Sequence, residues 1–350
     1  MQSSNEHYSY QELERWVEAV FRANNVIGEQ AEMAAKVLVR TNLRGIDTHG
    51  VSRVAGYVQK IKSGEVNAQA KPSFSVEDDV LRFDGDGGLG QFVATQAIRQ
   101  TIELAQSRSV TLCMIRESGH LAAIGQFVLE AAEAGMVAIL CQETPPLMAL
   151  EGSRGPAIGN NPIAFAFPVA GKAPLVFDMA TSVVARGNVL QAIADGREAI
   201  PEGWAIGPDG RPTTDPSEAL KGAMAPIAGH KGVGLAMLVQ VLAGSLTGSL
   251  TATSATKHGA TSSAGNVSAF LLMLNPDRLV GRETFDGHVR GWLDTYLSAT
   301  GEGSRYPGER AGACEVERRK GGIPLPASTI AELRKIGAAA GVPFDLVAAA

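Results

Sequence analysis

The chain has 350 residues, 45% of them hydrophobic and 19% charged, with 31 Lys and Arg against 36 Asp and Glu for a net charge of -5. That length predicts two domains at the usual ~150 residues each, and the hydrophobic content excludes a wholly disordered chain. The acidic balance, interrupted only by Arg318-Arg319-Lys320, argues against a nucleic-acid partner; no apolar run is long enough to cross a membrane; and Cys113, Cys141 and Cys314 lack the spacing of a zinc site or a disulfide framework, so no metal is expected.

The first 65 residues read as helical, with no basic or apolar leader, which sets the expectation of a cytoplasmic protein. Ser9 followed by Glu12 forms a candidate capping box, and Leu13, Trp16, Val17 and Val20 follow at helical spacing. Further helices are predicted over 29–43, ended by Gly45, and over 51–62, ended by Gly64. Alternation then begins: strand 80–83, helix 91–107, strand 110–115, helix 124–134, strand 136–141. This is the pattern of an α/β sheet with crossover helices. Two more strands are expected over 163–167 and 174–177, a helix over 182–194, turns over 201–216 and a buried helix over 231–246. Residues 250–265, rich in Ser, Thr and Ala, read as a mobile loop; strand 267–274, helix 284–298 and helix 329–340 complete the chain.

Six segments carry residues with chemistry. Gly85-x-Gly87-x-x-Gly90 follows a strand and opens a helix, and the next strand ends near Glu117. That is the fingerprint of a Rossmann dinucleotide site, or else a glycine-rich turn packed on its helix, with Asp84 and Asp86 placing negative charge beside any pyrophosphate. In Asp47-Thr48-His49-Gly50-Val51-Ser52-Arg53, His49 and Arg53 are four apart, so a helical turn brings them to one face. A guanidinium grips a carboxylate with two donors, and an imidazole beside it can give a proton to the atom that gains charge as hydride arrives. The competing reading is a helix start with a solvated His and Arg. Ser118-Gly119-His120 closes a strand, where α/β sheets hold ligands, or supplies a satisfied half-buried histidine. Asp178 in FDMATS (177–182) can orient a histidine, or it and Ser182 can cap a helix. Gly229-His230-Lys231-Gly232 heads a helix, with Lys231 as a point charge for phosphate or carboxylate or as part of a solvated turn. Arg305-Tyr306-Pro307-Gly308-Glu309-Arg310 sets two arginines around a turn that suits phosphate or a plain surface loop.

Taken in order, the stretches LRGIDTHGVSR (43–53), DGDGGLGQ (84–91), SGHLAAIG (118–125), GNNPIAFAFP (159–168), FDMATSVVARG (177–187), GRPTTDP (210–216), GHKGVGLAMLVQVLAGSLTG (229–248) and RYPGER (305–310) resemble one family. It is the type-2 malate/L-lactate dehydrogenase family of NAD(P)H-dependent oxidoreductases, with ureidoglycolate dehydrogenase, 2,3-diketo-L-gulonate reductase and Δ1-piperideine-2-carboxylate reductase among its members. The resemblance implies a mixed-sheet, non-Rossmann nicotinamide-binding domain over 76–299. It implies a mainly helical domain built from both chain ends, 1–75 with 300–350, and a homodimer. It implies His49 as proton donor, Thr48 as its orienting partner, Asp178 completing a charge-relay-like set, and Arg53 and Asn160 as substrate contacts. The implied cofactor contacts are His120, Leu121, Ala122, Ala123 and Ile124, then Asp178, Met179 and Ala180, then Lys231, and last Arg305, Pro307, Gly308, Glu309 and Arg310. Leu121 stands where some relatives carry an aromatic residue, and Asn188 where many carry Lys.

The expected activity is hydride transfer to or from C2 of a small 2-oxo or 2-hydroxy acid or a cyclic 2-imino acid, with NADP or NAD as cofactor and NADPH favoured. Three alternatives stay open on the sequence. One is a Rossmann-type hydroxyacid dehydrogenase using the glycines at 85–90. Another is a non-catalytic nicotinamide-binding protein. The third is a hydrolase using Ser182 or Thr48 with His49 and Asp178, which has no G-x-S-x-G elbow behind it.

Overall fold

The computed structural model describes residues 6–78, 80–248, 267–301 and 303–348; the loop expected at 250–265 lies outside the described residues. The chain opens with β1 (Glu6–Tyr8), α1 (Tyr10–Ala23) and α2 (Gly28–Leu43), passes through 3-10 turns at Asp47–His49 and Val51–Arg53, and enters α3 (Val54–Lys62). There follow β2 (Ser73–Glu77), β3 (Val80–Gly88), α4 (Gly90–Ala105), β4 (Val110–Ser118), α5 (Gly125–Glu133) and β5 (Val137–Gln142). Next come β6 (Pro146–Met148), β7 (Ile158–Gly159), β8 (Ile163–Phe167), β9 (Leu175–Met179), α6 (Arg186–Ala194), β10 (Ala205–Ile206), β11 (Pro212–Thr213), α7 (Pro216–Lys221) and β12 (Ala223–Met224). Helix α8 (His230–Val239) runs into a π-helical segment, Gln240–Ser245. The last elements are β13 (Val267–Leu274), α9 (Pro276–Leu279), α10 (Arg282–Thr300), α11 (Glu309–Gly321), β14 (Ile323–Leu325) and α12 (Ala327–Ala340).

The main sheet has the order β2-β3-β4-β13-β5-β8-β9. β3 and β4 pair in parallel, while β13 enters antiparallel between β4 and β5. β3, β4 and β5 therefore run the same way, as the expected crossovers through α4 and α5 require. Leu140 and its cross-strand neighbours Ala164 and Leu271 pack towards Ile98 of α4 and Phe127 of α5. Cys141 and Phe270 point to the other face and meet Val239 and Ala243. Both faces of β5 and β13 are thus covered, which is why those strands read as nearly continuous apolar runs. A second sheet, β11-β10-β12-β6-β7, carries the loops before and after α6. The two chain ends close on each other: β1 pairs with β14, the Trp16 indole donates to the carbonyls of Val342 (3.3 Å) and Pro343 (3.2 Å), and Phe344 meets Tyr8 and Trp16 edge-on. Among the described residues no helix is long and apolar enough to cross a membrane.

Several expectations need correction. The capping box at Ser9 does not form: its hydroxyl donates to Gln11 Oε1 (2.8 Å), leaving α1 without a side-chain cap. β3 continues to Gly88, so two of the fingerprint glycines are strand residues. A Cβ on Gly85 would lie 2.6 Å from the Glu117 carbonyl, and one on Gly90 2.4 Å from that of Gly119, so close packing against the end of β4 accounts for both glycines. The helix expected from 182 begins only at Arg186, because Ser182 donates to the Val184 carbonyl (2.8 Å) in a turn. The segment expected to be a buried helix over 231–246 starts at His230, turns π-helical at Gln240, and leaves Leu235, Met237, Leu238 and Val241 exposed. α11 was not expected at all.

Candidate active site

The site grows from the end of α2. Asn42 is buried there; its amide donates to Asp47 Oδ1 (2.7 Å) and its carbonyl oxygen accepts from the Val51 amide (2.7 Å). Asn42 thus holds the chain on both sides of His49. A Cβ on Gly50 would fall 1.9 Å from Asn42 Oδ1, so only glycine fits between the two 3-10 turns. From α11, Arg318 forks Asp47 through Nη1–Oδ1 (2.7 Å) and Nη2–Oδ2 (3.2 Å), fixing the same loop from the other side. His49 and Arg53 consequently lie on two short turns broken at Gly50, not on one continuous helical face.

Thr48 joins the pair. Its Oγ1 is 2.9 Å from His49 Nδ1, and its carbonyl accepts from Arg53 Nε (2.7 Å). The Arg53 tip lies beside the first turn of α6, where a Cβ on Gly187 would be 3.7 Å from Nη2. A cavity of about 480 Å³ opens here, lined by Thr48, Arg53, Asn188, Gln191 and Thr329. His49 does not line it and turns instead towards His120, with ring centroids 6.4 Å apart.

Both histidines are driven to the neutral form. Burial, then the Arg53 charge, lowers the His49 pKa to about 4. Burial, then His49, Arg53 and Lys60, lowers that of His120 to about 3. Behind His120 stands a pair that the sequence reading missed. Gln91 Nε2 donates to the Tyr57 hydroxyl (2.8 Å) and to the His120 carbonyl (3.1 Å). Tyr57 Oη lies 3.1 Å from His120 Nδ1. Burial pushes the Tyr57 pKa up to about 12, so its hydroxyl keeps its hydrogen. The hydroxyl that accepts from Gln91 pairs with Nδ1 of neutral His120 in either sense, as donor or as acceptor a second time, according to the tautomer. Tyr57 follows Arg53 by four positions in α3, a spacing that offered the only sequence signal.

Asp178 sits near the end of β9, and the first amide of α5, that of Gly125, donates to its Oδ2 (2.7 Å). Solvent reaches the carboxylate, yet the protein packed around it raises its pKa to about 6 against the pull of that hydrogen bond. Among the described residues no hydrogen bond links Asp178 to His49, so the charge-relay link implied by the resemblance is not formed; Asp178 belongs to α5 and His49 to Thr48.

The remaining expected contacts surround β9. Asn160 accepts from Thr144 Oγ1 (2.9 Å), and its carbonyl accepts from the Thr181 amide (2.9 Å). Leu121, Ala122, Ala123 and Ile124 are buried, with Ala122 at φ +68, so this stretch presents backbone and His120, not side chains, to a ligand. Met179 and Ala180 are half-buried where β9 ends. The Ile227 amide donates to the Thr181 carbonyl (2.9 Å), which brings the start of α8, with exposed Lys231, close to that end. At the other end of β9, the Val176 amide donates to the Pro307 carbonyl (3.0 Å), and a Cβ on Gly308 would lie 2.7 Å from that amide nitrogen. Arg305 and Arg310 are exposed beside this contact. Lys231, Arg305 and Arg310 have no acidic partner among the described residues, and Glu309 keeps one buried carboxylate oxygen without a donor.

A family model described as malate/L-lactate dehydrogenase matches residues 8–334. The chain belongs to the malate/L-lactate dehydrogenase family. It is 36% identical to the (2R)-3-sulfolactate dehydrogenase (NADP(+)) of Chromohalobacter salexigens over 93% of this chain and 96% of that one. It is 32% identical to the Δ1-pyrroline-2-carboxylate reductase of Ancylobacter novellus over 88% of this chain and 91% of that one. Among solved structures, malate dehydrogenase from Entamoeba histolytica superposes with a TM-score of 0.87 at 26% identity, covering 98% of this chain and 100% of that one. The Δ1-piperideine-2-carboxylate reductase of Pseudomonas syringae gives 0.84 at 32% identity over 94% of this chain and 99% of that one. As a member of this dehydrogenase family the protein is an oxidoreductase. Among the described residues Lys231, Arg305 and Arg310 are exposed cations without an acidic partner, a donor set that suits the phosphates of a nicotinamide dinucleotide.

Proposed function

We propose that this dehydrogenase moves hydride between NAD(P)H and C2 of a small 2-oxo or 2-hydroxy acid or a cyclic 2-imino acid, with His49 exchanging the proton. The observation that carries the reading is Thr48, which binds His49 through its hydroxyl and Arg53 through its carbonyl and so holds an acid–base group and a carboxylate clamp in one frame. The nicotinamide supplies or takes the hydride when bound. Lys231, Arg305 and Arg310 would hold its phosphates, His120 and the backbone of 121–124 would line its ring end, and the 85–90 glycines serve packing alone.

Arg53 fixes the substrate carboxylate through its free Nη groups and so aligns C2; positioning of this kind is worth several kcal/mol. In the oxidative direction neutral His49 is ready to act: Nδ1–H donates to Thr48 Oγ1, and the Nε2 lone pair takes the hydroxyl proton. In reduction the same nitrogen returns it. Burial first, and then the Arg53 charge, keeps His49 neutral; a bound carboxylate offsets the Arg53 charge and so eases proton uptake by the imidazole. Asp178, fixed by the Gly125 amide of α5, offers an acceptor near the end of β9. NADPH is the favoured cofactor, and the exposed apolar residues Leu235, Met237, Leu238 and Val241 support a homodimer.

The test is a panel of 2-oxo acids and cyclic imino acids with NADH and with NADPH, followed at the nicotinamide absorbance band. Turnover of at least one acid supports the reading; binding of NAD(P)H with no oxidation across the panel favours a non-catalytic nicotinamide-binding protein.

A further inference from the structure

Arg53 and Thr48, the residue that holds His49, open onto a cavity of about 480 Å³. That is within the range that encloses a small molecule, so past a clamped carboxylate there is room for the rest of a substrate. Among the described residues two charged side chains line it, Arg53 and Asp47. Asp47 already accepts from both guanidinium nitrogens of Arg318 (2.7 and 3.2 Å) and from the Asn42 amide (2.7 Å). Arg53 uses only Nε, which donates to the Thr48 carbonyl (2.7 Å); its Nη groups have no acidic partner among the described residues. The cavity therefore offers one free positive charge, and the carboxylate at C1 takes it. The rest of the polar wall is neutral: Asn188, Ser328 and Thr329 line it with side chains that have no hydrogen-bond partner among the described residues.

A second carboxylate or a sulfonate on the substrate would give up water here without gaining a counterion, and it would share the wall with the Asp47 carboxylate. A hydroxyl or an amide meets no such penalty. Each both donates and accepts, as do the side chains of Asn188, Ser328 and Thr329. We propose that the substrate is a monocarboxylate, a 2-oxo, 2-hydroxy or cyclic 2-imino acid whose remaining groups are uncharged, and that the neutral wall around Asn188 disfavours dicarboxylates and sulfonates. Asn188 is the position that decides this. It is exposed and follows Gly187, whose Cβ would lie 3.7 Å from Arg53 Nη2, so a cation placed there would add a second positive charge to the same cavity. The proposal rests on Arg53 as the carboxylate clamp of the reaction above, but charge selectivity is read by binding and so is tested apart from turnover.

The experiment is isothermal titration of the full chain with racemic malate and with its racemic 4-amide, acids of the same shape that differ by one charge. Oxidation of each with NADP and with NAD is measured in parallel. The expected result is saturable binding of the amide, tighter than that of malate by about tenfold or more, and lost in Arg53→Ala. Asn188→Lys is expected to raise the affinity for malate about tenfold and so to close or invert the ratio. Malate bound as tightly as the amide, no gain for malate in Asn188→Lys, or no saturable binding of the amide overturns the proposal. Binding with the expected preference but no oxidation of the amide by either cofactor would support the charge selectivity and count against the reaction itself.

Discussion

Arg318 closes on the carboxylate of Asp47 across 271 positions of sequence, with both guanidinium nitrogens engaged at 2.7 and 3.2 Å. Asp47 opens the turn that carries His49, so a residue of α11 sets the position of a group at the far end of the chain. Arg318→Leu leaves Asp47 and the Asn42 carbonyl without this donor. Because Asp47 is partly solvated, the expected loss of stability is about 1–2 kcal/mol by urea unfolding. The loop that carries His49 and Arg53 loosens, so kcat is expected to fall about tenfold or more. Arg318→Lys, which keeps charge but not the fork, should restore stability better than turnover. Unchanged kcat in Arg318→Leu would show that the loop holds its geometry through Asn42 alone.

Gly85→Ala separates packing from cofactor binding. The new methyl meets the Glu117 carbonyl and Val93 Cγ1, both 2.6 Å from its ideal position. The expected outcome is a loss of about 1–3 kcal/mol, read as a lower Tm, with the nicotinamide Kd of the folded protein unchanged. A protein that folds normally and loses cofactor affinity would instead support the fingerprint reading of these glycines.

His49 and His120 make stability depend on acid. Their folded pKa values, about 4 and about 3, lie below the ordinary value of 6.5 for an unfolded histidine. The neutral forms are preferred on folding, so this contribution is complete above about pH 6.5 and is lost as pH falls towards 4 and 3. Asp178 acts with the opposite sign, its folded pKa of about 6 standing above the ordinary 3.8, so its contribution is complete below 3.8 and is lost as pH rises through 6. With two histidines against one solvent-reached carboxylate, urea midpoints should fall between pH 6.5 and 4, and Asp178→Asn should steepen that fall. A midpoint that rises over this interval contradicts the assignment of two neutral histidines.

Much of this was legible in the sequence, and the failures have identifiable causes. The spacing of Leu13, Trp16, Val17 and Val20 gave α1, because helical periodicity is a local property, while Ser9 looked like a cap and found Gln11 instead. His49 and Arg53 were read as sharing one helical face, and Thr48 entered through the resemblance alone; the break at Gly50 that puts them on two turns follows from Asn42 Oδ1, which no local pattern reveals. Asn42 and Arg318 were invisible because their roles exist only once α2 and α11 pack. The composition of 231–246 suggested a buried helix, but composition does not say which apolar side chains the fold covers and which, like Met237 and Val241, it leaves exposed. The link from Asp178 to His49 came from resemblance alone, and the structure gives that carboxylate to the N-terminus of α5.

The most direct test of His49 as the proton-exchanging group is steady-state kinetics of His49→Ala on whichever acid the parent protein turns over, with cofactor affinity measured in parallel. The expected result is kcat lower by ~10²–10⁴ with the nicotinamide Kd unchanged and the fold intact. Turnover within about twofold of the parent, with cofactor still bound, would remove His49 from the reaction and with it the reading of the Thr48 frame.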